Sequence, residues 1–338
     1  MLKSFKIVII SFSFLSSFNV FANDLSSRPD YHAPIGVMRD HIHSKGKIMT
    51  SYRFGYMYMD ENRNNRDRLT EDEVNSSAII PTSMIMKMHI FGFMYGLTDN
   101  LTISAMTGFS GKKMDHIRAS NDETFIMESD GRTDSKISAL YQFYKNDRHI
   151  LQFNAGLNIP TGSIKHKKSD GNRFAYPMQV GSGTYDLLPG VSYSGFADDW
   201  SWGGQFNGTF RLGRNNSGYT LGDVYNLNVW GARKLNNFFS TSLRLDANLT
   251  DEIKGKDRNI NPMTMGMMAG QYMSAPMNPN LHDKKQIDAL IGINFIAPSG
   301  DLKNHRFAVE FGLPAYQRID GPMLETDYKL TFGWQKAF

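Results

Sequence analysis

Apolar and polar residues alternate with a period of two along most of the chain, in segments of about ten residues separated by turn-forming residues. The clearest run is Phe239 to Leu249, where Thr241, Leu243, Leu245, Ala247 and Leu249 face Ser242, Arg244, Asp246 and Asn248. Ser201 to Leu212 sets Trp202, Phe206, Phe210 and Leu212 against Gln205, Asn207, Thr209 and Arg211. Ile150 to Ile159 sets Leu151, Phe153, Ala155, Leu157 and Ile159 against Gln152, Asn154, Gly156 and Asn158. A pleated strand sends successive side chains to opposite sides, so each run predicts a strand with one apolar face. Shorter runs begin near Lys47, Ser83, Leu101, Ser135, Thr184, Asp223, Gln286, His305 and Asp327, which brings the expectation to about twelve strands.

The connections alternate in length. Leu97 to Asn100, Lys145 to Arg148, Asp198-Asp199, Asn236-Asn237 and Ser299 to Asp301 read as tight turns, because Asn, Asp and Gly bond their own backbone or accept a positive φ. Between them lie longer polar stretches, Asp60 to Pro81, Ser110 to Thr133, Pro160 to Gly181, Arg214 to Leu221 and Thr250 to Lys285, expected as loops. Short turns at one end and long loops at the other are the habit of a transmembrane antiparallel β-barrel, periplasmic and extracellular respectively. The expected fold is therefore all-β, a barrel of about twelve strands.

Composition changes the choice of solvent. The chain is 41% hydrophobic and 21% charged, yet carries 12% aromatic residues and 30 glycines, which suits strands showing lipid only every second side chain. A soluble β-sandwich would also alternate, but here bulky charge crowds the polar face. Aromatic pairs such as Trp200 and Trp202, Tyr185 and Tyr193, and Phe238 and Phe239 stand near strand ends, where interfacial girdles form. The final segment alternates Tyr328, Leu330, Phe332 and Trp334 and ends on Phe338, which resembles the signal that bacterial outer-membrane barrels present to their assembly machinery; Lys336 departs from it. At the other end, residues 1–22 read as a secretory signal peptide, with Lys3 and Lys6 before an apolar run and Val20-Phe21-Ala22 as the cleavage site. Residues 23–45 are then a periplasmic segment, expected to fold into or across the barrel mouth, and 46–338 the barrel. Cysteine is absent and the net charge is +4, which excludes thiolate metal sites and gives no case for nucleic acid.

Twelve strands tilted near 40° enclose a cylinder of roughly 12 Å radius, so side chains decide whether it conducts. Alternation turns Arg53, Lys136, Asp186, Arg211, Trp230, Arg244, Asp246, Asp288, Glu310 and Lys329 inward. Both signs are present, and they either pair across a closed interior or line a polar passage. Methionine, at 20 residues, is the compositional oddity. Met57 and Met59 are expected inward, whereas Met84, Met86 and Met88, opposite Lys87 and His89, are expected toward lipid. Thioether and imidazole suit copper, which makes two groups candidate ligands: His32, Met38, Asp40, His41 and His43 near the N-terminus, and Met263, Met265, Met267 and Met268 in a long loop. Copper is the one cofactor these donors imply.

His32-Ala-Pro-Ile-Gly-Val-Met38, Tyr95-Gly-Leu-Thr-Asp-Asn-Leu-Thr102 and Gly156-Leu-Asn-Ile-Pro-Thr-Gly-Ser163 together resemble a family of outer-membrane transporters named for a meta-pathway of phenol degradation. The resemblance spans most of the chain after the signal peptide. It implies a barrel passing small organic, often aromatic, solutes, and it carries no established site residues. The Met and His features are also similar to copper-resistance outer-membrane barrels, without their extended methionine-rich N-terminal domain. Three functions follow in order: a passive or facilitated channel for a small solute, a copper-handling barrel, and a structural or lipid-interacting barrel. An enzyme is not expected, since the sequence holds no Gly-x-Ser-x-Gly, His-Glu-x-x-His or phosphate-cradling glycine motif. The expected partners are the assembly machinery, outer-membrane lipid and, through Lys165, His166, Lys167, Lys168 and Arg173, lipopolysaccharide phosphates.

Overall fold

The computed structural model describes residues 28–74, 77–168, 170–264, 269–297 and 299–338, so the expected signal peptide lies outside them. One antiparallel sheet closes on itself. Its strands are β1 (Ile48–Asn65), β2 (Ile79–Gly96), β3 (Leu101–Arg118), β4 (Ser135–Lys145), β5 (His149–Ile159), β6 (Gly190–Phe196), β7 (Trp200–Leu212), β8 (Val224–Lys234), β9 (Phe239–Thr250), β10 (Lys284–Ile296) and β11 (His305–Ala337). Each pairs with the next, a short strand Tyr185–Leu187 extends the line of β6, and β11 returns to β1 with Tyr52 opposite Trp334. Closure satisfies every ladder group without an edge, the condition for spanning lipid with strands.

β11 is two crossings of the wall. Its 33 residues would extend about 110 Å at 3.3 Å per residue, roughly twice the reach of its neighbours. Its 306–319 stretch pairs with β10 and its 323–337 stretch with β1. The two lie side by side: Trp334 Nε1 donates to His305 Nδ1 at 3.0 Å, and Arg306 donates to Gln335 Oε1 at 2.8 Å. The eleven strands thus make twelve passes, in agreement with the count read from alternation.

The tight turns form where Asn and Asp mark them. Asn146 Oδ1 accepts the N–H groups of Arg148 and His149 at 2.9 and 2.7 Å, and Asn236 Oδ1 those of Phe238 and Phe239 at 2.8 and 2.9 Å. Along β9 the two faces separate cleanly: Leu243 and Leu245 are 67% and 53% exposed, Ser242 and Arg244 2% and 6%. Phe91 and Phe93, Phe206, Leu227, Ile291 and Phe311 continue the exposed apolar face around the barrel. A belt of this extent suits acyl chains and not water.

At the long-loop end the chain is more ordered than a run of loops. The stretch 110–133, expected as a loop, is instead a tall hairpin: β3 continues to Arg118, and Glu123–Arg132 pairs back along it from Phe109 to Arg118. Met127 and Phe125 on the returning strand pack with Met114, Met84, Phe174 and Met178, so burial among neighbours keeps this polar stretch extended. A two-residue ladder, Tyr219–Thr220 with Lys254–Gly255, joins two further loops. Tyr176, Tyr219, Ile253 and Ile260 pack together beside it, and these loops form a cap.

Candidate functional site

Residues 28–47 carry no strand and enter the barrel at its short-turn end, where their backbone carbonyls need donors. The lumen wall supplies them. Arg306 donates to Ala33 O at 2.7 Å, Arg53 to Ile35 O at 3.0 Å, Gln205 to Met38 O at 2.9 Å and Gln152 to Arg39 O at 2.7 Å. Ser240 and Ser201 hold Pro29 O and Asp30 O at 2.9 and 2.7 Å. These side chains come from β1, β5, β7, β9 and β11, so the segment is a plug held from wall to wall. Its apolar residues fill the remaining space: Ala33 and Val37 pack on Trp230, and Ile42 on Met49, Met94 and Leu140.

The charged residues named from the sequence all lie on the inward side, and most are paired. Arg244 donates through Nε and NH2 to Glu310 at 2.8 and 2.7 Å, with both residues buried. Arg244 also lies 3.5 Å from Asp246. Arg211 donates to Asp186 at 2.5 Å, Lys329 pairs with Asp288, and Trp230 belongs to the plug contact. Buried pairs of this kind fix geometry more than they stabilise, because desolvation offsets most of the attraction.

Above the plug lies a cavity of about 600 Å³. Its floor includes Met38. Met88, Ile90, Met106 and Leu188 form an apolar wall, and Lys136, Asn158, Asp186, Thr209 and Arg211 a polar one. The cap contributes Tyr176, Pro177, Gln179 and His282. Lys112 on β3 ties cap to wall, donating to Pro177 O at 2.7 Å and Gln179 O at 2.6 Å. Deeper in the cap, Arg173 donates to Asp257 at 2.9 Å and to Ser217 at 2.6 Å, and Asp257 N donates to the Tyr176 hydroxyl at 2.9 Å. Of the three cations on the cavity wall, Arg211 is held by Asp186 and Lys112 by carbonyls. Lys136 has no hydrogen bond or ion pair among the described residues.

Within the plug, three donors of the N-terminal group meet. His32 Nδ1 lies 3.3 Å from His41 Nδ1, and His41 Nδ1 lies 2.8 Å from Asp40 Oδ1. The His43 ring stands 4.9 Å from that of His41. Burial holds the His32 imidazole well below its ordinary pKa, with His41 and Arg306 adding to the effect, and pushes His43 down to about 3. For Asp40 burial acts upward, but the charge and hydrogen bond of His41 outweigh it and hold the carboxyl well below the usual carboxylate range.

The structure corrects several expectations. Met38 does not join the histidines but faces the cavity. Met263 sits in the loop between β9 and β10, its N–H bonded to Gln271 O, at the opposite end of the barrel from the plug; Met265, Met267 and Met268 lie outside the described residues. Met84 and Met88 face inward, because the outward phase of β2 is set by Phe91, Phe93 and Tyr95, and the pleat carries that phase back through His89 and Lys87 without a slip. Arg173 is committed to Asp257 and is not free to meet lipid phosphates. Met106 was legible from alternation once the phase of its strand was fixed. Tyr176 and His282 were not, because nothing local to a loop says that it folds inward.

No family model and no curated protein matches the sequence. Among solved structures the chain is similar to an outer membrane channel from Pseudomonas putida F1, with a TM-score of 0.62 and 11% identity over 89% of this chain and 98% of that one. Two others are the P. putida toluene transporter TodX, with a TM-score of 0.43 and 9% identity over 88% and 91%, and the KdgM porin, with 0.41 and 10% over 86% and 99%. The first likeness shows a shared fold.

Proposed function

We propose that this chain is an outer-membrane channel, closed at its periplasmic mouth by residues 28–47, for a small solute with an apolar, aromatic body and an anionic group. The observation that carries the reading is the cavity between plug and cap. Its apolar wall of Met88, Ile90, Met106 and Leu188 accepts a ring, since thioether and branched side chains adapt to flat faces. Across from it, Lys136 offers an ammonium group that makes no hydrogen bond or ion pair among the described residues. The lipid-facing belt, the fold likeness and the resemblance to phenol-pathway transporters support the membrane address and the aromatic body. Export by the 1–22 signal peptide completes the route. Transport is passive: the solute's own gradient drives it, and the plug must shift to let it out.

The test is solute uptake into proteoliposomes with three probes of one size: benzoate, benzyl alcohol and benzylammonium. Benzoate is expected to enter fastest, and Lys136→Gln to slow it about tenfold while leaving benzyl alcohol within about twofold, as the loss of one partly desolvated ion contact implies. Equal rates for the three probes, or no uptake above protein-free vesicles, would remove the reading.

A further inference from the structure

We propose that the plug contains a binding site for one divalent transition-metal ion of the zinc type, with His32, Asp40 and His41 as ligands, and that the ion locks the plug in its closed shape. The three ligand atoms already stand within 4.8 Å of one another. Two ligands bound at about 2.05 Å in tetrahedral geometry lie about 3.3 Å apart, which is the separation of His32 Nδ1 and His41 Nδ1. Asp40 is pre-set for the role, because its Oδ2 accepts the Ala33 N–H at 2.9 Å and fixes the carboxylate plane.

Hydrogen bonds alone leave this cluster short of protons. One N–H on His41 Nδ1 faces both Asp40 Oδ1 at 2.8 Å and His32 Nδ1 at 3.3 Å, and it cannot serve both. A cation among the three ligand atoms satisfies the two Nδ1 atoms and the carboxylate oxygen together, and nitrogen with carboxylate oxygen is a donor set for Zn²⁺ or Cu²⁺. His32, with its side chain 13% exposed, leaves a path for the ion. His32 and His41 bracket Ile35-Gly36-Val37, which meets Arg53, Glu310 and Trp230 of the wall. Clipping the two ends together closes that loop, and this consequence alone rests on the channel reading.

Zinc titrated calorimetrically into the full-length protein in detergent is expected to bind at one equivalent. His32→Ala/His41→Ala and the shape-conserving Asp40→Asn should each weaken it at least tenfold, with barrel integrity checked by heat-modifiable gel mobility. Cobalt in place of zinc should give the visible absorption of a four-coordinate nitrogen–oxygen site, lost in both variants. Zinc should also raise the melting temperature of wild type in proportion to the logarithm of its concentration, and not that of the variants. No binding by wild type, or binding unchanged in both variants, overturns the metal site. Metal binding that leaves single-channel closure unchanged overturns the lock and keeps the site.

Discussion

Glu310 and Arg244 meet over β10 in a two-point contact, Oε1 with Nε at 2.8 Å and Oε2 with NH2 at 2.7 Å, and the same Oε2 accepts the Gly36 N–H at 3.1 Å. A buried ion pair of the wall is thus also the seat of the plug. Gly36 is required there, since a β-carbon would run into both the guanidinium and the carboxylate.

Gly36→Ala should therefore unseat the plug without harming the barrel. Separating a buried pair costs on the order of 3 kcal/mol, part of which this substitution exacts. The expected result in planar bilayers is an open probability raised at least about tenfold, at unchanged heat-modifiable mobility. Wild-type gating in Gly36→Ala would show that the plug does not depend on this contact.

The cap depends on Arg173 and Asp257, both nearly inaccessible. Asp257→Asn leaves a buried guanidinium without its carboxylate, a loss of about 3 kcal/mol. Trypsin should then cut after Lys165, Lys167 or Lys168 at least about ten times faster, while the strands stay resistant. Equal cleavage rates would mean that the cap is held by other contacts.

Acid should loosen the cap through His282. Burial pushes this imidazole down to about 4, against a partial upward pull from the Pro276 carbonyl. A folded-state pKa below the unfolded value means the closed cap favours the neutral ring. Its contribution is complete above about pH 6.5 and is lost as pH falls toward 4. Cap opening, read by the same proteolysis with an acid-active protease, should rise over that window in wild type and stay flat in His282→Gln. A matching rise in His282→Gln would assign the effect to another group.

The lipid belt is checked at Leu243, the most exposed large apolar residue. Leu243→Arg should destabilise the barrel in bilayers by about 2–4 kcal/mol in urea titrations, as a charge at mid-membrane does. A change under about 0.5 kcal/mol would place that position in water.

Most of the wall was legible because period two leaves little freedom. Once Leu243 and Leu245 are assigned outward, Arg244 must face in, and the same arithmetic places Asp186, Arg211 and Glu310. The twelfth pass was readable too, though 305–337 forms one unbroken strand by backbone pairing. The methionines of β2 show the limit: a phase taken from Lys87 and His89 alone inverts the strand, and only the aromatic run from Phe91 to Tyr95 sets it right. What the sequence could not show were meetings between distant segments. Gly36 with Glu310 joins plug to wall, Lys112 with Pro177 joins wall to cap, and Arg173 with Asp257 joins one cap loop to another, all across wide separations in the chain. His32 with His41 was legible because a loop of eight intervening residues can bring both to one point.

If passage through the lumen requires the plug to move, tying the plug to the wall must stop it, and the absence of cysteine from the chain permits such a tie to be placed at will. Ile35 packs so close to Gly333 that a β-carbon there would overlap the isoleucine side chain, which the smaller cysteine at position 35 relieves. Ile35→Cys with Gly333→Cys should form a single disulfide between plug and β11. Benzoate uptake into proteoliposomes is expected to stop when the pair is oxidised and to return to the wild-type rate on reduction; uptake that continues unchanged in the oxidised protein would contradict the account.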